Sequence, residues 1–118
     1  MMKDSFLDEI NRLSVNNYKL AFSALEIKDV HIRILEAHYK SIDHDITASE
    51  LARVLNFESL SVSNLRYGRL AGNLCRFFQI APPIHLHVLV DFEERRGETH
   101  WIMHSKVVQA LHELHWFD

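Results

Sequence analysis

The spacing of apolar residues predicts an α+β domain, mostly helical, with a C-terminal β-hairpin and flanking terminal helices. Three observations carry this. Up to Phe78 the apolar residues recur three and four positions apart, behind residue types that cap helices. Pro82 and Pro83 then stop helix formation, because proline lacks an amide donor and restricts the residue before it. Beyond them, Ile84 to Met103 switches to a period of two on either side of Gly97.

Each element has a local reason. Asp4 to Leu13 reads as a short amphipathic helix with Phe6, Leu7, Ile10 and Leu13 on one face. Ser14 to Asn17 is rich in cap and turn formers, and a second brief helix or turn is expected from Tyr18, with Leu20, Ala21, Ala24 and Leu25 as its apolar positions. Asp29 can cap a third helix carrying Val30, Ile34, Leu35 and His38, ending near Tyr39 or Lys40. Ser41 to Ile46, with Asp43, His44 and Asp45, has the polarity and length of a connecting loop. Thr47 with Glu50 forms a capping box, so the next helix starts at Ala48. It ends at Asn56, which tolerates the left-handed conformation of a helix end. Ser59 or Ser61 caps a longer helix whose apolar face is Tyr67, Leu70, Ala71, Leu74, Phe77 and Phe78. Gly68 and Gly72 fall inside it at up to about 1 kcal/mol each relative to alanine, so either another group approaches closely there or the helix breaks at Gly68. Ile84 to Phe92 is expected to be a strand, Glu94 to Glu98 a charged turn, and Thr99 to Met103 the return strand. Ser105 then caps a last helix bearing Val107, Val108, Leu111 and Leu114 and ending near Trp116.

The long helix has a second character. Arg66, Arg69, Asn73 and Arg76 stand three and four apart, so three guanidiniums and an amide share one stripe. A short capped helix, a turn and a longer helix with a basic face is the arrangement of helix-turn-helix DNA readers. Thr47 to Leu70 resembles that superfamily, with Ser49 to Ala52 matching its usual opening and Asn56 standing where the family more often has glycine. Three helices followed by a hairpin extend the resemblance, over roughly Asp29 to Met103, to the winged helix-turn-helix. The divisions are then 1–27 as an N-terminal helical extension, 28–103 as the core and 104–118 as the C-terminal helix. The resemblance implies double-stranded DNA as partner. Ser61, Ser63, Asn64, Arg66, Arg69, Asn73 and Arg76 would lie on the reading helix, with Arg95 and Arg96 on the wing against the backbone or minor groove. Asn64 to Leu70, NLRYGRL, together with the closing strand and helix, also resembles a small bacterial domain found alone or beside HNH nucleases; no HNH constellation of histidines is legible, so nuclease activity does not carry over.

Composition sets the bounds. With 118 residues, 47% of them apolar, the chain fits one domain with one core. No apolar run nears the roughly 20 residues of a membrane span, and Met1 to Leu13 lacks the apolar centre of a signal peptide, so a cytoplasmic protein is expected. One cysteine, Cys75, excludes an intrachain disulfide and suits a core position. The net charge of −3 opposes non-specific nucleic-acid binding, yet Ser59 to Val90 contains no acid at all, so a basic face on an acidic body is expected. His85 and His87 on one strand face, with His100 opposite, are the best metal candidates, but no carboxylate has a fixed place beside them. HELH at His112 to His115 misses the spacing of the zinc-protease motif. With no nucleophile motif and no phosphate loop, neither an enzyme nor a cofactor is expected. A DNA-binding protein comes first, and a protein-interaction module on the same scaffold second. Phe6, Leu7, Ile10 and Leu13, with Leu114, Trp116 and Phe117, offer an apolar surface for a homodimer.

Overall fold

The computed structural model describes residues 5–117; Asp4, expected to open the first helix, lies outside them. The chain runs α1 (Ser5–Arg12), α2 (Val15–Ala24), α3 (Asp29–Lys40), β1 (Asp45–Thr47), α4 (Ala48–Leu55), α5 (Leu60–Phe78), β2 (Val90–Arg95), β3 (Glu98–Met103) and α6 (Ser105–Glu113), with 3-10 turns at Ile42–His44 and His85–Val88. The three strands form one antiparallel sheet with β3 in the middle, in the order β1-β3-β2. The class is α+β and mostly helical.

The capping box at Thr47 closes at both ends: Glu50 N donates to Thr47 Oγ1 at 3.1 Å, and Thr47 N donates to Glu50 Oε1 at 3.0 Å. Asn56 ends α4 in the left-handed region at φ 59. Helix α5 runs unbroken through Gly68 and Gly72 from an N-cap at Ser59, and Gln79 ends it at φ 59. The hairpin turns at Arg96 (φ 53) and Gly97 (φ 80), both left-handed, as a two-residue type I′ turn requires.

Several expectations are corrected. Helix α2 starts at Val15, three residues before Tyr18, because Ser14 and Asn17 form a second capping box. Asp29 and Ser105 are the first residues of their helices and not the caps, which are Lys28 and His104, neither with a side-chain bond to its own helix. The supposed loop before Thr47 contains β1, which pairs Ile46 with Trp101. The supposed strand from Ile84 is a 3-10 turn until Val88, with Leu86, Val88 and Leu89 all buried. Its carbonyls find partners outside any ladder: Cys75 Sγ donates to His85 O, His104 Nε2 to His87 O, Tyr18 Oη to Val88 O and His104 N to Leu89 O. His85 and His87 therefore do not share a strand face. His87 stacks on Phe92 and His100 Nδ1 donates to Asp45 Oδ1, so the three rings form no cluster.

Around α5 sits one core. Tyr67, Leu70, Ala71, Leu74 and Cys75 pack with Tyr18 and Phe22 of α2, Ile34 and Leu35 of α3, Trp101 and Met103 of β3, and Val107 and Leu111 of α6. Tyr18, Ala21 and Phe22 of the expected extension, 1–27, thus belong to the same core. Burial raises the Cys75 thiol to about 11, which keeps it protonated. Phe77, assigned to the apolar face, is 42% exposed. The surface expected to pair two copies is largely internal: Ile10 is buried, Leu13 and Leu114 pack on the core, Trp116 stacks with Phe22, and Phe117 with Tyr39. Leu7 stays exposed.

Candidate nucleic-acid interface

A groove of about 1520 Å³ runs along α5, between that helix and the β2–β3 hairpin, and the first turns of α3 and α4 close one end. Its α5 wall is Leu60, Asn64, Leu65, Arg66, Gly68, Arg69, Gly72, Asn73 and Arg76. Across from it stand Phe92, Glu94, Gly97, Glu98, Thr99 and Trp101, with Ile84, His85 and Leu86 beside Gly72. The remaining wall is Lys28, Val30 and His31 with Thr47, Ala48 and Ser49.

Asn64, Arg66, Arg69, Asn73 and Arg76 are therefore brought together as the stripe required. Arg66, Arg69 and Arg76 are exposed, and none has a carboxylate partner among the described residues. Arg66 lies over the Phe57 ring at 4.9 Å, which fixes its base without neutralising it. Arg76 donates to Asn73 Oδ1, so these two act as one unit.

Four expected site residues do not line the groove. Ser63 is fully buried and donates to Ala48 O at 2.9 Å, fastening α5 to the start of α4; it faces no solvent. Ser61 is exposed but does not line the groove. Arg95 ends β2 rather than sitting in the turn, and its guanidinium holds Asp45 at 2.8 Å and Glu93 at 2.7 Å. Burial alone would raise the Asp45 carboxyl, but hydrogen bonds from His100 and Arg95 hold it below its ordinary value. Arg95 is thus a bridge between β2 and β1. Arg96 occupies the turn and is exposed, but it does not line the groove, where the hairpin presents Glu94 and Glu98. The groove is polarised, positive along α5 and α3, negative along the hairpin.

The two glycines differ. A Cβ at Gly72 would stand 3.0 Å from His85 Nδ1, so close approach explains that residue. A Cβ at Gly68 would meet nothing within 4 Å. Packing gives no reason for glycine there, and its effect is an open groove floor on α5.

Sequence reasoning missed Lys28 and His31, which lie more than thirty residues before Arg66 and carry no motif. His31 is 5% exposed, and its ring has no hydrogen bond among the described residues. No fully buried side-chain nitrogen or oxygen among them lacks a partner, so its ring nitrogens must keep an opening, and the groove is where the residue emerges. Burial first, then the charges of Lys28, Arg66 and Arg69, lower its pKa, so the ring is neutral at pH 7. No described helix is long and apolar enough to cross a membrane. Compared with known proteins, the chain matches no protein-family model, no curated protein and no solved structure.

Proposed function

We propose that the protein binds double-stranded DNA through α5, as a winged helix-turn-helix protein of the cytoplasm. The observation that carries this is the row of guanidiniums without carboxylate partners among the described residues, Arg66, Arg69 and Arg76, with Asn64 and Asn73 beside them on one groove wall. Arginine can read guanine bidentately and asparagine adenine, while the same cations neutralise phosphate. The order of α3, α4, α5 and the β2–β3 hairpin supports the winged-helix assignment. The acidic hairpin does not favour close phosphate contact, so the helix is assigned most of the interface. Association into a homodimer belongs to the same proposal, and with most of the terminal apolar residues engaged in the core, Leu7 and Leu20 are the large exposed apolar residues left near the N-terminus among the described residues.

A mobility-shift series on mixed-sequence duplex at several salt concentrations tests this. Affinity should fall steeply with salt, and it should fall further when Arg66 and Arg69 are replaced by alanine. Undiminished binding by a folded double variant refutes the role of α5. A second proposal, a protein-interaction module, draws on Leu60, Leu65 and Ile84, which are 48%, 53% and 51% exposed beside the same groove. Absence of any retention on duplex DNA or heparin at low salt would move that alternative ahead.

A further inference from the structure

Helix α3 starts without a side-chain cap, so the amides of Asp29 and Val30 in its first turn have no side-chain acceptor among the described residues. Such a terminus carries partial positive charge and free donors. The ring of His31, more than nine-tenths buried and without a hydrogen-bond partner among the described residues, opens to the groove from the same turn. Lys28, Arg66 and Arg69 are close enough to depress its protonation, and Lys28 and Arg69 likewise have no carboxylate partner among the described residues. Asp29, the one acid in this turn, is exposed and does not line the groove. Glu94 and Glu98 belong to the opposite wall.

We propose that this corner of the groove is a phosphate subsite: the Val30 amide in the first turn of α3 and the His31 ring donate hydrogen bonds to the phosphate oxygens, Lys28, Arg66 and Arg69 supply the charge, and Gly68 leaves the floor open to it. A neutral imidazole carries one N–H, which suits a phosphate oxygen, and the surrounding cations supply the charge that the ring lacks. The phosphate is that of a DNA strand if the nucleic-acid proposal is right, or a free phosphate group if it is not; the subsite chemistry is common to both.

The test is amide and imidazole NMR on the ¹⁵N-labelled protein at constant ionic strength, titrated first with inorganic phosphate and then with a short duplex. Saturable shifts at Val30, Gly68 and the His31 ring are expected with phosphate, and about a tenfold weaker response in Arg69→Ala, from loss of one charge-assisted hydrogen bond. His31→Gln, which keeps a donor, should retain more of the response than His31→Leu, with both spectra still dispersed. The same resonances moving with duplex supports both proposals. Phosphate shifts without duplex binding support the subsite and refute the DNA reading. Duplex binding with no saturable phosphate shift at these residues refutes the subsite and leaves the α5 interface standing. No response to either ligand overturns both.

Discussion

Acid should destabilise this fold through His38, and the size of the effect can be worked from its surroundings. The ring is fully buried. Nε2 lies 2.8 Å from both His44 O and Trp101 O, so it must carry the proton and donate; Nδ1, 2.7 Å from Tyr67 Oη, is bare and accepts the phenol hydrogen. Protonating Nδ1 would leave that hydrogen without its acceptor in a site where Tyr67 is also fully buried. Burial, partly offset by the two carbonyl bonds, pulls the His38 pKa from 6.5 to about 4. The folded pKa is depressed, so the unfolded chain binds more protons between these values. The associated stability is fully present above pH 6.5 and is lost as pH falls towards 4. A gap of roughly two and a half pH units at about 1.4 kcal/mol each gives a ceiling of about 3.5 kcal/mol. His31 and His87, both lowered by burial, act in the same direction. Urea unfolding of the wild type and of His38→Gln from about pH 7.5 to about pH 4.5 isolates the His38 share. Glutamine can still donate to the carbonyls but does not titrate, so its stability at pH 7 should drop by about 1–3 kcal/mol, because Tyr67 loses its acceptor, while its slope against pH flattens. Parallel slopes in the two proteins, or an NMR titration of His38 centred near its ordinary value, would refute the reasoning.

Three further outcomes are expected. Replacing Arg66 and Arg69 together by alanine should lower duplex affinity by about 1–3 kcal/mol for each arginine that reads a base, and reduce the salt slope in mobility shifts, with an unchanged melting temperature. Gly68→Ala should stabilise the protein by about 0.5–1 kcal/mol in thermal unfolding, because nothing obstructs the new Cβ, yet weaken duplex binding; Gly72→Ala should gain less, since His85 must give way. Arg95→Ala should lower the melting temperature slightly, because the Asp45 bridge goes with it, whereas Arg96→Ala should leave it unchanged, and circular-dichroism melts of the pair would expose the reverse order.

Where structure follows from neighbouring residues, the chain was legible. Thr47, Glu50 and Asn56 set both ends of α4 with bonds no more than a few residues long, and the type I′ turn at Arg96 and Gly97 is equally local. The stripe of Arg66, Arg69, Asn73 and Arg76 needed only helical geometry. The failures share a cause in distant partners. Asp45 to Thr47 is a strand only because His100 to Ile102 lies beside it. His85 to Val88 alternates like a strand but is held in a turn by Cys75, His104 and Tyr18. Ser63 and Arg95 were assigned by residue type to a binding surface, and their actual partners, Ala48 O and Asp45, could not be read from spacing. The corner of the groove at Lys28 and His31 was hidden for the same reason.

The contacts of α1 and α2 with elements far along the chain bear on how it is made. Lys106 on α6 donates to Asn11 O and Leu13 O at 2.8 and 2.7 Å, closing the end of α1, and Tyr18 reaches Val88 across 70 residues. Closing loops of this length is entropically slow, and it must await the synthesis of α6. On the ribosome, then, the N-terminal helices emerge with Tyr18 and Phe22 uncovered, and they find their apolar partners Val107 and Leu111 only when α6 has left the exit tunnel. A nascent chain stalled before Ser105 should be sticky and protease-sensitive, and a ligand for the α5 groove should not hold it until α6 has emerged.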